Sequence, residues 1–171
     1  MAPLSQDAVM VAWITALKDS TVYRKVTPTL AKVAEEGGVL QTIIKGEIET
    51  SKRYEKGDYI VQGPLGERYA LDTHVFEARY DMTRPRYVAD DVLAKEGFLT
   101  YLPTGKVWAH ELSETDCAQH FSNGAFMASW GEPMAVMPGD YIATPWPAAT
   151  EVYRVEREAF SKTYAPDVPP Q

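Results

Sequence analysis

Gly57-Asp58-Tyr59-Ile60 returns as Gly139-Asp140-Tyr141-Ile142, and the residues after each copy follow one pattern. Glu67, Tyr69, Phe76 and Tyr80 follow the first; Glu151, Tyr153, Phe160 and Tyr164 follow the second, with steps of two, seven and four residues in both. The one difference lies between motif and glutamate, where the second copy is two residues longer. Loops accept insertions and paired strands do not, so the variable point reads as a hairpin tip. Upstream, Gly38-Val39-Leu40-Gln41-Thr42 with Gly46 matches Gly97-Phe98-Leu99-Thr100 with Gly105, and Leu30-Ala31-Lys32 matches Leu93-Ala94-Lys95. The chain therefore reads as a duplication.

Each copy has a physical logic. Lys56-Gly57-Asp58 and Pro138-Gly139-Asp140 are turn chemistry, because glycine takes a positive φ without steric cost. Tyr59-Ile60-Val61 and Tyr141-Ile142-Ala143 lead out as strands and turn back at Gly63-Pro64-Leu65-Gly66 and Pro145-Trp146-Pro147-Ala148. The return strands, 67–71 and 151–155, each run into a helical turn whose Phe and Tyr, four apart, share a face. Period-two alternation places Glu67, Tyr69 and Leu71 on one side, and likewise Glu151, Tyr153 and Val155. A carboxylate on a core-facing side either reaches an edge or backbone donor, or lines a polar site where burial raises its pKa. Glu67, Tyr69, Glu151 and Tyr153 are accordingly the candidate ligand-binding residues.

Before the first copy, Ser5 is a helix cap, and Val9, Met10, Trp13, Ile14 and Leu17 fall at helical spacing, so 6–19 reads as an amphipathic helix. Tyr23 to Val26 reads as a strand, and Pro28 to Glu36 as a short helix closed by Gly37-Gly38. Val39 to Ile44 and Glu47 to Thr50 form a hairpin around Lys45-Gly46. The second half carries an insertion, 107–137, without counterpart in the first. In it Ser113-Glu114-Thr115-Asp116 is a capping box, predicting a helix to Phe121 with Cys117, His120 and Phe121 along one side. A Cys117–His120 nucleophilic pair lacks a third orienting group, and His110, Cys117 and His120 match no ordinary zinc framework. No metal or cofactor is expected. Aromatic residues without a duplicated role, Trp13, Phe126, Trp130 and Trp146, are the candidate partner-binding residues.

At 171 residues with 45% hydrophobic and 24% charged residues, the composition is that of a water-exposed globular chain. A net charge of -7 and a pI near 5.0 argue against nucleic acid as partner, since phosphate contacts need a basic face. Cys117 is the single cysteine, so no internal disulfide forms. The first residues lack the basic region of a secretion signal, and the longest apolar run, 8–17, is too short for a transmembrane segment. A cytoplasmic or organelle-lumen location is the expectation.

Gly57 to Gly63, Gly66-Glu67-Arg68-Tyr69 and Phe76-Glu77-Ala78-Arg79-Tyr80 together resemble a small family of bacterial and phage-borne domains named for a Pro-Gly-Asp-Tyr-Gly motif. Pro138 to Ile142, Glu151 to Tyr153 and Phe160-Ser161-Lys162-Thr163-Tyr164 look like a second copy, and Tyr23-Arg24-Lys25 resembles the family's start. Lys56 stands where the family has proline, the second copy lacks the glycine by its glutamate loop, and the insertion is foreign. The family has no established activity, so the resemblance implies a fold and no catalytic residue.

The expected architecture is α+β. It comprises two tandem β-rich repeats, each a small twisted antiparallel sheet or barrel-like half with short helices, related by a pseudo-twofold axis. The expected divisions are an N-terminal helix, 1–22; a first repeat, 23–83; a second, 84–166; and a flexible tail, 167–171. The expected function is a non-enzymatic binding or assembly module, an accessory subunit of a larger complex or a homo-oligomer. Its alternative is a small-molecule-binding domain or enzyme built on the Glu/Tyr pairs.

Overall fold

The computed structural model describes residues 2–168. In chain order the elements are α1 (Gln6–Lys18), β1 (Val22–Lys25), β2 (Thr29–Val33), β3 (Gly38–Ile44), β4 (Glu47–Tyr54), β5 (Tyr59–Gln62) and β6 (Arg68–Leu71). Then come α2 (Thr73–Arg79), β7 (Arg86–Tyr87), α3 (Asp91–Glu96), β8 (Leu99–Tyr101), β9 (Lys106–Glu111) and α4 (Glu114–His120). The chain ends with β10 (Ala125–Met127), β11 (Pro133–Ala135), β12 (Tyr141–Trp146), β13 (Tyr153–Val155), α5 (Arg157–Thr163) and β14 (Tyr164–Pro166). The class is α+β with antiparallel sheets. Two compact units form: a central one, Val26–Gly105, and a terminal one, Met1–Lys25 with Lys106–Gln171.

The central unit is built on a five-stranded antiparallel sheet of order β6-β5-β2-β8-β7. One core gathers Tyr59, Val61, Phe76, Tyr80 and Tyr101 over Ala31, whose small side chain leaves room for the rings. A second, Ala34, Ile60 and Ala70 with Leu40 and Tyr54, is completed by the β3-β4 hairpin. That hairpin turns at Lys45 and Gly46, φ 53° and 80°, the paired left-handed conformation that suits strand twist. Thr42 on β3 donates its hydroxyl to the Arg68 carbonyl at 2.8 Å and ties the hairpin to β6.

The terminal unit carries a five-stranded antiparallel sheet, β13-β12-β9-β1-β14, and a small pair, β10-β11. Ser5 caps α1 by accepting from the Ala8 N–H at 3.1 Å. The helix then lays Val9, Trp13 and Leu17 into a core with Leu112, Phe121, Phe126, Ile142 and Val152. A separate core joins Val107, Ala109, Ala143 and Phe160 to Tyr23, Tyr141 and Tyr164. The two Gly-Asp turns are built alike: Gly57 and Gly139 have φ 94° and 91°. Asp58 accepts from the N–H groups of Glu55 and Thr73, and Asp140 from those of Met137 and Arg157.

Several expectations need correction. Within the expected helix, 28–36, Thr29–Val33 instead form strand β2, because Thr29 and Ala31 alternate inward and outweigh the helix-start proline. Leu30-Ala31-Lys32 lies in that strand while Leu93-Ala94-Lys95 lies in α3, and Gly38 opens a hairpin while Gly97 ends a helix. The upstream sequence match therefore does not hold in structure. Strand β9 is the middle strand of a sheet, so 107–111 belongs to the sheet and not to an inserted segment. The units divide at 25/26 and 105/106, not at 83/84, since β8 pairs with β2 and β1 with β9. Asp167 is tied down: its N–H donates to the Val22 carbonyl at 2.8 Å. Val168 is exposed, and the remaining residues of the expected tail, 169–171, lie outside the described residues.

Candidate functional site

Glu67 and Glu151 belong to different units, and each is engaged locally. Glu67, 6% exposed, precedes β6 and folds back over its own hairpin loop. Its carboxylate accepts from the Leu65 N–H at 3.0 Å and its carbonyl from the Gly63 N–H at 2.8 Å. The carboxylate lies against Gly63 so closely that a methyl group there would overlap it. Tyr69 packs beside the Phe76 core. Glu151 is half-buried before β13 and accepts the Ser129 hydroxyl at 2.6 Å. Tyr153 lies opposite Ala143 and packs against both cores of the terminal unit.

The sequence puts Cys117, His120 and Phe121 on one side of a helix, and the structure brings Trp13 and His110 to the same place. The Trp13 ring centroid is 5.1 Å from that of His110, 5.1 Å from His120 and 6.2 Å from Phe121. Burial pushes the Cys117 thiol up, helped by the negative charges of Asp116 and Asp140, which leaves it a poor nucleophile. His110 Nε2 lies 3.2 Å from Asp116 Oδ2, and Asp116 also closes the capping box of α4. Among the described residues no group of three or more His, Cys, Asp or Glu is arranged to hold a metal ion.

The four candidate contact aromatics separate by burial. Trp13 is 6% exposed and Phe126 0%, so both are core residues and neither offers a surface. Their helical and alternating spacing makes them face inward, which accounts for the correction. Trp130 is half-buried against the same core. Trp146, at the end of β12, remains 42% exposed.

Trp146 sits in a built environment. The Trp108 ring meets it edge-on at 6.4 Å and 64°. The Lys106 ammonium lies 5.3 Å from the Trp146 ring centroid and 2.7 Å from Asp167 Oδ2. Arg24 Nε is 3.9 Å from the other oxygen of Asp167. The loop is closed by the Ala149 N–H donating to the Pro145 carbonyl at 2.8 Å. Sequence reasoning missed Arg24, Lys106, Trp108 and Asp167. The signal was present in the alternation of Lys106, Trp108 and His110 with Val107 and Ala109, which marks a strand with one polar-aromatic face.

No family model, curated protein or solved structure matches this chain. No helix of the described residues is long and apolar enough to cross a membrane. Function is therefore argued from the site itself.

Proposed function

We propose that the chain is a non-enzymatic protein-binding or assembly module whose contact point is Trp146. The observation that carries this reading is the contrast among the four aromatics: two are core residues, one is half-covered, and Trp146 stands exposed on a closed loop. An exposed tryptophan already held by neighbours loses little freedom on docking, and tryptophan is the residue type most enriched at energetic centres of interfaces. Lys106 lies over its ring and is itself paired with Asp167, so the fitting partner is a protein surface with an apolar socket and a polar rim. The Glu/Tyr pairs support a small-molecule site less well, since Glu67 already braces its loop and Glu151 accepts from Ser129.

The test compares wild-type chain with Trp146→Glu by cross-linking in cells, identification of partners, and binding measurements with each purified partner. A charge at an exposed position leaves the unfolding midpoint nearly unchanged and lowers affinity at least about 30-fold, the value of a 2 kcal/mol hot spot. Equal affinity for wild type and Trp146→Glu, with both folded, refutes the assignment.

A further inference from the structure

We propose that the two units are copies of one strand plan that have exchanged their first strands, so that each half of the chain completes the other half's sheet. The sheet orders β6-β5-β2-β8-β7 and β13-β12-β9-β1-β14 correspond strand by strand. Registers correspond too. Ala31 lies opposite Val61 as Ala109 lies opposite Ala143, and Thr29 opposite Tyr101 as Val107 opposite Tyr23. Tyr80 pairs with Pro103 as Tyr164 pairs with Lys25. Before each Gly-Asp turn, one residue closes the same two backbone bonds. Ala34 donates to the Asp58 carbonyl and accepts from Gly57; Leu112 does so with Asp140 and Gly139.

The ring clusters make the correspondence specific. Tyr59, Phe76, Tyr80 and Tyr101 in one unit match Tyr141, Phe160, Tyr164 and Tyr23 in the other. The stacked pair is 4.0 Å apart at 9° in the first and 3.7 Å at 8° in the second. The edge-on tyrosine lies 5.0 Å from Phe76 and 4.9 Å from Phe160, at 88° and 78°. From Tyr23 to Ala31 is eight residues, and from Tyr101 to Ala109 also eight. In sequence, therefore, β1 belongs with β2 and β8 with β9. In the fold, β1 pairs with β9 and β14, and β8 with β2 and β7.

The connections explain the exchange. Val26-Thr27-Pro28 and Leu102-Pro103-Thr104-Gly105 each contain a proline, and the residue before proline is biased to extended backbone. An extended connection carries the chain onward instead of folding β1 back on β2, which is the condition that favours swapping. The exchange also brings Arg24, from the first half, to the face that holds Trp146 and Asp167. The partner that fits the gap in each half is thus the other half, docking by strand addition.

The full-length chain with a protease recognition site inserted between Val88 and Ala89, then cleaved, tests this. The halves should co-elute on gel filtration at the intact mass, 19.1 kDa plus the insert, in high salt and on dilution. The amides of 22–25 and 99–101 should keep the slow hydrogen exchange of the uncut protein. Separation into two folded species would overturn the exchange and point to β1 pairing with β2 within one half. Loss of folded structure on cleavage, or co-elution with rapid exchange at 22–25 and 99–101, would overturn it as well.

Discussion

Tyr141 and Phe160 lie face to face, ring centroids 3.7 Å apart and planes 8° from parallel. One residue opens strand β12 and the other sits in helix α5, so the stack joins the turn at Asp140 to the helix that ends the hairpin. Tyr23 meets Phe160 edge-on at 4.9 Å, and Tyr164 also stacks on Phe160 at 5.0 Å. Burial, then the negative charges of Glu111 and of the Tyr23 phenolate, pushes the Tyr141 hydroxyl up. It stays neutral through physiological pH.

Phe160→Ala should therefore cost about 3–5 kcal/mol, because it opens a cavity among three rings and removes their contacts. Phe160→Leu should cost less than half of that, since much of the volume remains. Denaturant unfolding followed by circular dichroism measures both. Phe76→Ala, at the matching place in the central unit, should fall in the same range.

The Asp140–Arg154 pair should be more sensitive than the exposed ion pairs. Arg154 Nη2 is 2.8 Å from Asp140 Oδ2, Nε donates to the same oxygen at 2.9 Å, and both side chains are buried. Arg154→Ala strands a buried carboxylate and should cost about 3–5 kcal/mol. At the matching position of the central unit, opposite Ile60, stands Ala70, and Asp58 is half-exposed there. Asp58→Ala should accordingly cost about 1–2 kcal/mol, the value of its turn bonds alone. Chemical unfolding at neutral pH ranks the two variants.

Local chemistry was legible in the sequence, and long-range pairing was not. The Gly-Asp turns, both strands beside each, the Ser5 cap and the Ser113 capping box follow from residues a few positions apart. Strand β2 carries helix punctuation in its sequence, Pro28 and Gly37-Gly38, and only its place between β5 and β8 reveals the strand. The partnering of β1 with β9 joins residues about half the chain apart and leaves no local trace. Of the candidate site, Trp146 was visible as a large ring between prolines. Trp108 is masked by taking 107–137 for an insertion, and the burial of Trp13 and Phe126 is not legible from aromatic character without the direction of the side chain.

Asp116 gives a pH dependence with a definite sign. Burial pushes its carboxyl up, but bonds from the Ser113 backbone, His110 and the Ser113 side chain outweigh that, leaving it below the ordinary value of 3.8. A depressed carboxyl stabilises the fold above its unfolded pKa and loses that contribution as pH falls through the folded one. Asp116→Ala should cost about 1 kcal/mol at neutral pH, from the lost capping box and the His110 bond. The difference from wild type should hold down to about pH 5 and close only as pH drops below the ordinary aspartate range. Thermal unfolding across that series reads the sign directly; a gap that widens with acid refutes it.

Gly63 and Glu67 should be coupled. Gly63 has an ordinary backbone conformation, so the reason for glycine is the carboxylate of Glu67 lying where a β-carbon would be. Gly63→Ala must then expel that carboxylate from the Leu65 N–H and should cost about 1–3 kcal/mol. Glu67→Ala loses the same bond without the clash and should cost about 1–2 kcal/mol. In the double variant the methyl group at 63 meets no carboxylate, so the combined cost should fall short of the sum by at least about 1 kcal/mol. A double-mutant cycle by urea unfolding supplies the number. Strict additivity would mean that Glu67 leaves the loop freely in solution, and would restore it as a residue available to a ligand.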